Sequence, residues 1–297
     1  MPQSAPPARR PAAGPGHGLA RVLARRGVCS RSEAERWIAA GRVRVEGRMV
    51  RDAERRTRAD ARITVDGREV TAIAPRYLAL NKPRGLITSA ADEHGRDTVY
   101  ALLAAAGLPW LAPVGRLDRA SEGLLLMSND SGWAAALTDP ATHVDKTYRV
   151  QVRGVPDATT LDAMRAGVSD RGEQLAVKEV ALLRSGGRTA WLEIVLDEGR
   201  NRHLRRLLAA LDFEVLRLIR VAIGPLALGA LGKGCWRELC TQEVRALARA
   251  AGRGESRSAD AGVAQCDQQE QQRDDRQQRE AKAQSQRAAR AFRPRGR

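Results

Sequence analysis

Between residues 18 and 27 the apolar positions Leu19, Val22 and Leu23 recur at helical spacing, and Gly27 supplies a stop. Ser30 then stands as the cap of a second helix over residues 31–40, which Gly41 ends. The alternating run RVRVEGRMV that follows predicts a hairpin turning at Glu46-Gly47. Helix, helix, hairpin is the first unit. From Arg76 the pattern changes. YLALNKPRG, residues 77–85, is a short apolar strand running into a turn, and residues 146–152 alternate as a strand. A short amphipathic helix is expected near residues 157–166, with EQLAVKEVALL and TAWLEIVLD as further strands. Leu204, Leu207, Leu208 and Leu211 fall at i, i+3, i+4 and i+7 and form the buried stripe of a helix, with Arg202, Arg205 and Arg206 beside it. Strands dominate without a regular βαβ alternation, so the fold class is α+β with a mixed or antiparallel sheet.

The ends break this patterning. Up to His17 the chain is Pro, Ala, Gly and Arg, and from Ala251 onward it is Gln, Arg, Ala and Asp, compositions that cannot bury enough apolar surface to order themselves. The division expected is therefore a disordered arm over residues 1–17, a small domain over 18–68, a larger one over 76–250, and a disordered basic tail over 251–297. The tail closes on RAARAFRPRGR, five arginines and no acid, which suits a non-specific phosphate-binding arm.

Charge then selects the partner. The 297 residues carry a formal net charge of +16, almost wholly from arginine, whose planar fork suits phosphate and base edges. Nucleic acid is the partner this implies. No segment reaches the roughly 20 apolar residues needed to span a bilayer, so no membrane role is expected. Cys29, Cys235, Cys240 and Cys266 form no Cys-x-x-Cys pair, which leaves neither a zinc knuckle nor a disulfide framework. The first 16 residues lack the apolar core of a secretory signal, and a cytoplasmic location follows.

One stretch carries candidate chemistry. In PVGRLDRASEGLLLMSND, residues 113–130, Asp118 stands between Arg116 and Arg119 just ahead of the apolar run 124–127. An arginine at the margin of the leucine-striped helix can reach such a carboxylate, and a paired carboxylate stays ionised, nucleophilic or basic at neutral pH.

Two resemblances give this stretch a meaning. The first unit resembles the alpha-L type RNA-binding domain named for a small-subunit ribosomal protein, through Gly27, Ser30, Arg31, Ala34, Ile38, Gly41, Val43, Val45 and Gly47. LNKPRG, GRLDRASEGLLLMSND, KTYRVQV and EGRNRHLRRLL resemble, in order and spacing, the motifs of bacterial ribosomal-RNA pseudouridine synthases of the Rsu family, which carry that domain in front. The resemblance implies a core with a mixed, largely antiparallel sheet crossed by an RNA-binding cleft. It implies isomerisation of a uridine in ribosomal RNA, with no cofactor and no metal. Asp118 of GRLD is then the catalytic nucleophile, Tyr148 stacks on the target uracil, Arg205 pairs with Asp118, and Arg116 occupies the gap left by the flipped nucleotide. Lys82, Arg84, Arg202 and Arg206 join Arg116 as RNA-binding residues, together with Arg21, Arg25, Arg26 and Arg31 on the two short helices.

Departures from the family pattern touch none of Asp118, Tyr148 and Arg205. Ser121-Glu122 stands where many relatives have Thr-Ser, Ser131 where they have glycine, and His203 replaces a usual glutamine. His203 reads as a hydrogen-bonding stand-in rather than an acid or base, and His143 is read the same way. EGRNR and LNKPRGLITSAADEHGRDTV resemble the large-subunit members, so 23S rRNA is favoured as the target. The partner expected is ribosomal RNA or an assembly intermediate, met by a monomer. Three other readings stand beside this one: the same reaction on 16S rRNA, a non-catalytic rRNA-binding assembly factor, and a glycosidase-like hydrolase pairing Asp118 with Glu122. The last lacks the aromatic sugar platforms of that class, because Phe, Trp and Tyr make up 3% of the chain.

Overall fold

A computed structural model of the chain describes residues 16–89 and 96–252. The first unit runs β1 (His17–Gly18), α1 (Leu19–Arg25), α2 (Arg31–Ala39), β2 (Val43–Val45), β3 (Arg48–Met49), β4 (Arg56–Thr57), β5 (Ile63–Val65) and β6 (Arg68–Glu69). Ser30 caps α2, its Oγ accepting from the Glu33 amide at 3.0 Å. Glu46 and Gly47 both take positive φ, 49° and 77°, the combination that joins β2 and β3 without splaying them. Asp66-Gly67 repeats the device between β5 and β6, giving a four-stranded order β3-β2-β5-β6. Leu19, Leu23, Ala34, Ile38, Val43 and Ile63 are fully buried between helices and strands. Each large aliphatic among them contributes about 1.5–3 kcal/mol.

The second unit contains β7 (Tyr77–Lys82), β8 (Ala112–Val114), β9 (Glu122–Ser128), α3 (Ser131–Thr138), β10 (Lys146–Arg153), α4 (Ala158–Ala166), β11 (Val168–Asp170), β12 (Glu173–Leu175), β13 (Glu179–Ser185), β14 (Thr189–Leu196), α5 (His203–Ala210), β15 (Val215–Ile223), β16 (Leu226–Ala227), β17 (Trp236–Glu238) and α6 (Thr241–Ala250). Its main sheet follows β13-β14-β10-β15-β9-β7-β17, with β8 on β9 and β16 on β15. Among the strand pairs of the described residues only β15–β9 is parallel, so the chain is α+β with a mixed, largely antiparallel sheet, as the patterning implies. Leu204, Leu207 and Leu208 of α5 pack on Val150, Leu192, Ile194 and Leu218 of the sheet. Leu211 caps the helix and is half-buried.

Three expectations change. EQLAVKEVALL is two strands: β12 pairs with β11, and the chain then crosses to β13, with the Val177 amide on Met164 O and the Lys178 amide on Val195 O. His17 belongs to the first unit rather than to the arm, because it pairs with Thr57 while Arg56 Nη1 donates to Gly16 O at 2.7 Å. Ala251 belongs to the core rather than to the tail, since it is 4% exposed in the cluster holding Val244 and Leu247. The remainder of the expected arm and tail, residues 1–15 and 253–297, lies outside the described residues.

Asn129 ties the two units. Its Oδ1 accepts from the Arg76 amide at 2.7 Å and its Nδ2 donates to Ala74 O at 3.0 Å, gripping the connection. Gly27 sits against the same side chain at φ +73°, where a Cβ would come 2.9 Å from Asn129 Nδ2.

Candidate active site

Asp118 lies in the loop between β8 and β9, and that loop is stitched to the segment after β7. Lys82, fully buried at the end of β7, points its ammonium at three carbonyls: Pro83 O at 3.2 Å, Asp118 O at 3.1 Å and Ser121 O at 2.8 Å. Thr88 Oγ1 donates to Leu117 O at 2.8 Å, and the Gly85 amide donates to Arg119 O at 2.8 Å. These bonds explain why LNKPRG and GRLDRASEG are both needed, for one holds the other. An ammonium has three donors, and all three are used here. Burial pulls its pKa down to about 8, against the upward pull of Asp118 and Glu122.

The Asp118 carboxylate, one-third exposed, faces a cavity of about 220 Å³. Arg116 and Ser121 join it from the same loop, Lys146 and Tyr148 from β10, Leu218, Arg220 and Ile223 from β15, and Arg202, His203 and Arg205 from the start of α5. A bulge shapes the floor. Opposite β10 the register jumps from Thr147↔Ala222 to Tyr148↔Arg220, leaving Val221 as the extra residue. The bulge switches the side on which β15 residues fall, so that Ile223, Arg220 and Leu218 all line the cavity.

Asp118, Tyr148, Arg205, Arg116 and Arg202 thus come together from three separate stretches of sequence. The expected direct pair of Arg205 with Asp118 is replaced by another arrangement. Arg202 Nη1 lies 4.0 Å from Asp118 Oδ2, whereas Arg205 Nη2 donates to Ala120 O at 3.1 Å. Arg205 still senses the aspartate: burial and Arg202 lower its pKa while Asp118 raises it.

Other arginines and a lysine expected to meet RNA are committed elsewhere. Lys82 is the loop clamp just described. Arg26 is buried and donates to Val70 O at 2.7 Å and Ala59 O at 2.8 Å, closing the first unit on its own strands. Arg206 is held by Asp170 and Glu173 of the β11–β12 hairpin. Arg31 pairs with Glu35 and Glu54, and Arg25 with His17 at 2.9 Å. Arg21 and Arg84 are exposed, Arg84 in a second cavity with Arg96 and Arg119 beside the Asp118 loop.

His203 is buried with Nε2 2.9 Å from Ala176 O, and burial, the larger influence, lowers its pKa. His143 meets Asp197 at 3.0 Å. Glu122 is absent from the cavity lining and is instead paired with Arg217 at 3.2 Å and Lys233 at 2.7 Å. Burial pushes its carboxyl up, but those partners outweigh burial and hold it below its ordinary value. Asp118 and Glu122 are therefore not assembled as the two carboxylates of a hydrolytic site. Lys146, Asp197 and Arg220 were not singled out from sequence. Arg220 had a readable signal, a charge at i+2 from the core residue Leu218 in a strand.

Comparison with known proteins agrees with this geometry. Residues 76–210 match the model for RNA pseudouridylate synthase, and residues 18–63 match the S4 domain. The ribosomal large subunit pseudouridine synthase B of Bacillus subtilis is 35% identical over 241 residues, covering 80% of this chain and 98% of the relative. The chain belongs to the RNA pseudouridylate synthase family. An uncharacterized RNA pseudouridine synthase of Aquifex aeolicus is 37% identical, covering 78% of this chain and 94% of the relative. A crystal structure of a pseudouridylate synthase superposes with a TM-score of 0.54 at 29% identity, over 78% of this chain and 99% of that one. As a family member the chain is an isomerase that carries an S4 domain ahead of its synthase domain. No helix among the described residues is long and apolar enough to cross a membrane.

Proposed function

We propose that this synthase isomerises one specific uridine of large-subunit 23S ribosomal RNA to pseudouridine, with Asp118 as nucleophile. The observation that carries the reading is the convergence of Asp118, Tyr148 and Arg205 on one cavity of about 220 Å³. A flipped uridine enters with its ring on Tyr148, and Arg116 at the mouth takes the space it vacates. The Asp118 carboxylate adds to ribose C1′ as the C1′–N1 bond breaks. The freed base turns, C5 bonds to C1′ as Asp118 departs, C5 loses its proton and N1 gains one. Arg205 holds Ala120, two residues beyond the nucleophile, and sets the angle of the loop.

Support for the 23S target comes from the Bacillus subtilis relative and from a second ribosomal large subunit pseudouridine synthase B, that of Haemophilus influenzae, 36% identical over 240 residues. The unit of residues 17–69 supplies affinity for structured RNA through exposed arginines of its two helices such as Arg21 and Arg36, the catalytic unit spans 76–251, and the enzyme works as a cytoplasmic monomer on rRNA or an assembly particle. Carbodiimide-blocked primer extension on ribosomal RNA from a deletion strain, with and without the gene restored, tests the reading. One 23S stop should vanish and return. Loss of a 16S stop moves the target to the small subunit, and an unchanged pattern refutes the assignment to ribosomal RNA.

A further inference from the structure

Arg220 is a buried cation with no ion-pair partner among the described residues. It stands on β15 in the middle of the sheet, 5% exposed, between Tyr148 on β10 and Gly123 on β9. Its Nε donates to Leu124 O at 2.7 Å, while its Nη2 is buried and has no hydrogen-bond partner. The described residues hold no carboxylate in ion-pair contact with it; its charged neighbours include Lys82 and Lys146, whose pKa values burial lowers first and Arg220 lowers further. A desolvated guanidinium with a spare N–H is costly, and such a group is expected to meet an acceptor when the protein works. Arg220 lines the same cavity as Asp118, Tyr148 and Arg205.

We infer that Arg220 is a further catalytic residue, whose free Nη2–H donates to a carbonyl oxygen of the target uracil and stabilises the anion that the base becomes when it leaves ribose. The inference rests on the reading of the site given above. When the C1′–N1 bond breaks its electron pair stays with the base, and the charge spreads onto O2 and O4. Rejoining through C5 consumes that pair, so the stabilisation is needed only between the two bonds, and Arg220 keeps its protons throughout. A fixed donor in a water-poor cavity acts most strongly on charge that develops during the reaction. Phosphate is the poorer candidate, because exposed Arg116, Arg200 and Arg202 stand at the mouth whereas Arg220 lies on the floor beside Tyr148.

The test compares Arg220→Gln and Arg220→Lys with wild type on two RNAs, one carrying uridine and one carrying 5-fluorouridine at the target, whose base is a more acidic leaving group. Wild type must form pseudouridine; if it does not, the functional reading fails and not this inference. With wild type active, Arg220→Gln should lower the single-turnover rate on uridine RNA about 100-fold while half-saturating RNA stays within about threefold. On 5-fluorouridine RNA the same variant should lose about tenfold or less in the rate of substrate consumption, and Arg220→Lys should fall between. Equal losses on both RNAs, or a loss confined to RNA affinity, overturn the inference. Failure of both variants to fold assigns Arg220 to the sheet and overturns it too.

Discussion

Lys82 Nζ donates to the backbone carbonyl of Asp118 at 3.1 Å, so the residue that ends β7 positions the Asp118 loop through its backbone. Because the ammonium satisfies three carbonyls, its deprotonation removes a donor that the loop uses. The isomerisation rate should therefore fall along a one-proton limb as pH rises through about 8. Stability moves the other way. The folded pKa near 8 lies below the ordinary 10.5, so the unfolded chain binds more protons between those values and this group's contribution to stability rises with pH across them. A pH–rate profile and urea unfolding at pH 8 and 10 check both signs. Lys82→Met should abolish the limb and lower kcat; a limb that persists in this variant assigns it to another group.

Asp118→Asn keeps the shape of the side chain and removes the charge that attacks C1′. Tritium release from RNA labelled at uridine C5 should fall to background, while RNA binding stays near wild type. Activity within about tenfold of wild type, a barrier change of roughly 1.4 kcal/mol, would take Asp118 out of the chemistry.

Arg202 and Arg205 make different contacts and should fail differently. Arg205 is half-buried behind the loop and holds Ala120, so Arg205→Ala should lower kcat about 100-fold with little change in KM. Arg202 is exposed and 4.0 Å from the carboxylate, so Arg202→Ala should act chiefly on KM. Steady-state kinetics on the same RNA separates them, and identical profiles would contradict the division.

Gly123→Ala should be severely destabilising. At φ +101° a Cβ would stand 2.2 Å from Arg220 O, across the only parallel pairing of the main sheet. Backbone cannot yield as a side chain can, so a loss of about 3 kcal/mol or more is expected, read as a drop in the urea midpoint. A near-normal midpoint would mean that β9 and β15 separate at little cost.

Arg21, Arg25 and Arg36 are exposed on α1 and α2. Replacing all three with alanine should weaken ribosomal-RNA binding and flatten the slope of log affinity against log salt by about 2, at an unchanged modification site. An unchanged slope would place the RNA on another face of the first unit.

Much of this was legible in the chain. Ser30, the Glu46-Gly47 turn, the alternation over β10 and the leucine stripe of α5 are local signals, and the structure places each as its period or cap demands. The family motifs also marked Asp118, Tyr148 and Arg205 before any geometry was known. The roles of the cations were not legible. Lys82 and Arg26 read as surface charges meeting RNA, yet both are buried on backbone carbonyls.

The sequence by itself determined the elements, the α+β class and the motifs that place the chain in its family, because helix period, turn chemistry and motif order are properties of neighbouring residues. Only the tertiary structure decided which cations are free. The bond from Lys82 to Ser121 spans 39 positions and the bond from Arg205 to Ala120 spans 85. It also decided that Arg220 faces the cavity, since the bulge at Val221 depends on how β15 registers against β10. A charge's burial and partner are set by segments distant in the chain, and no local pattern records them.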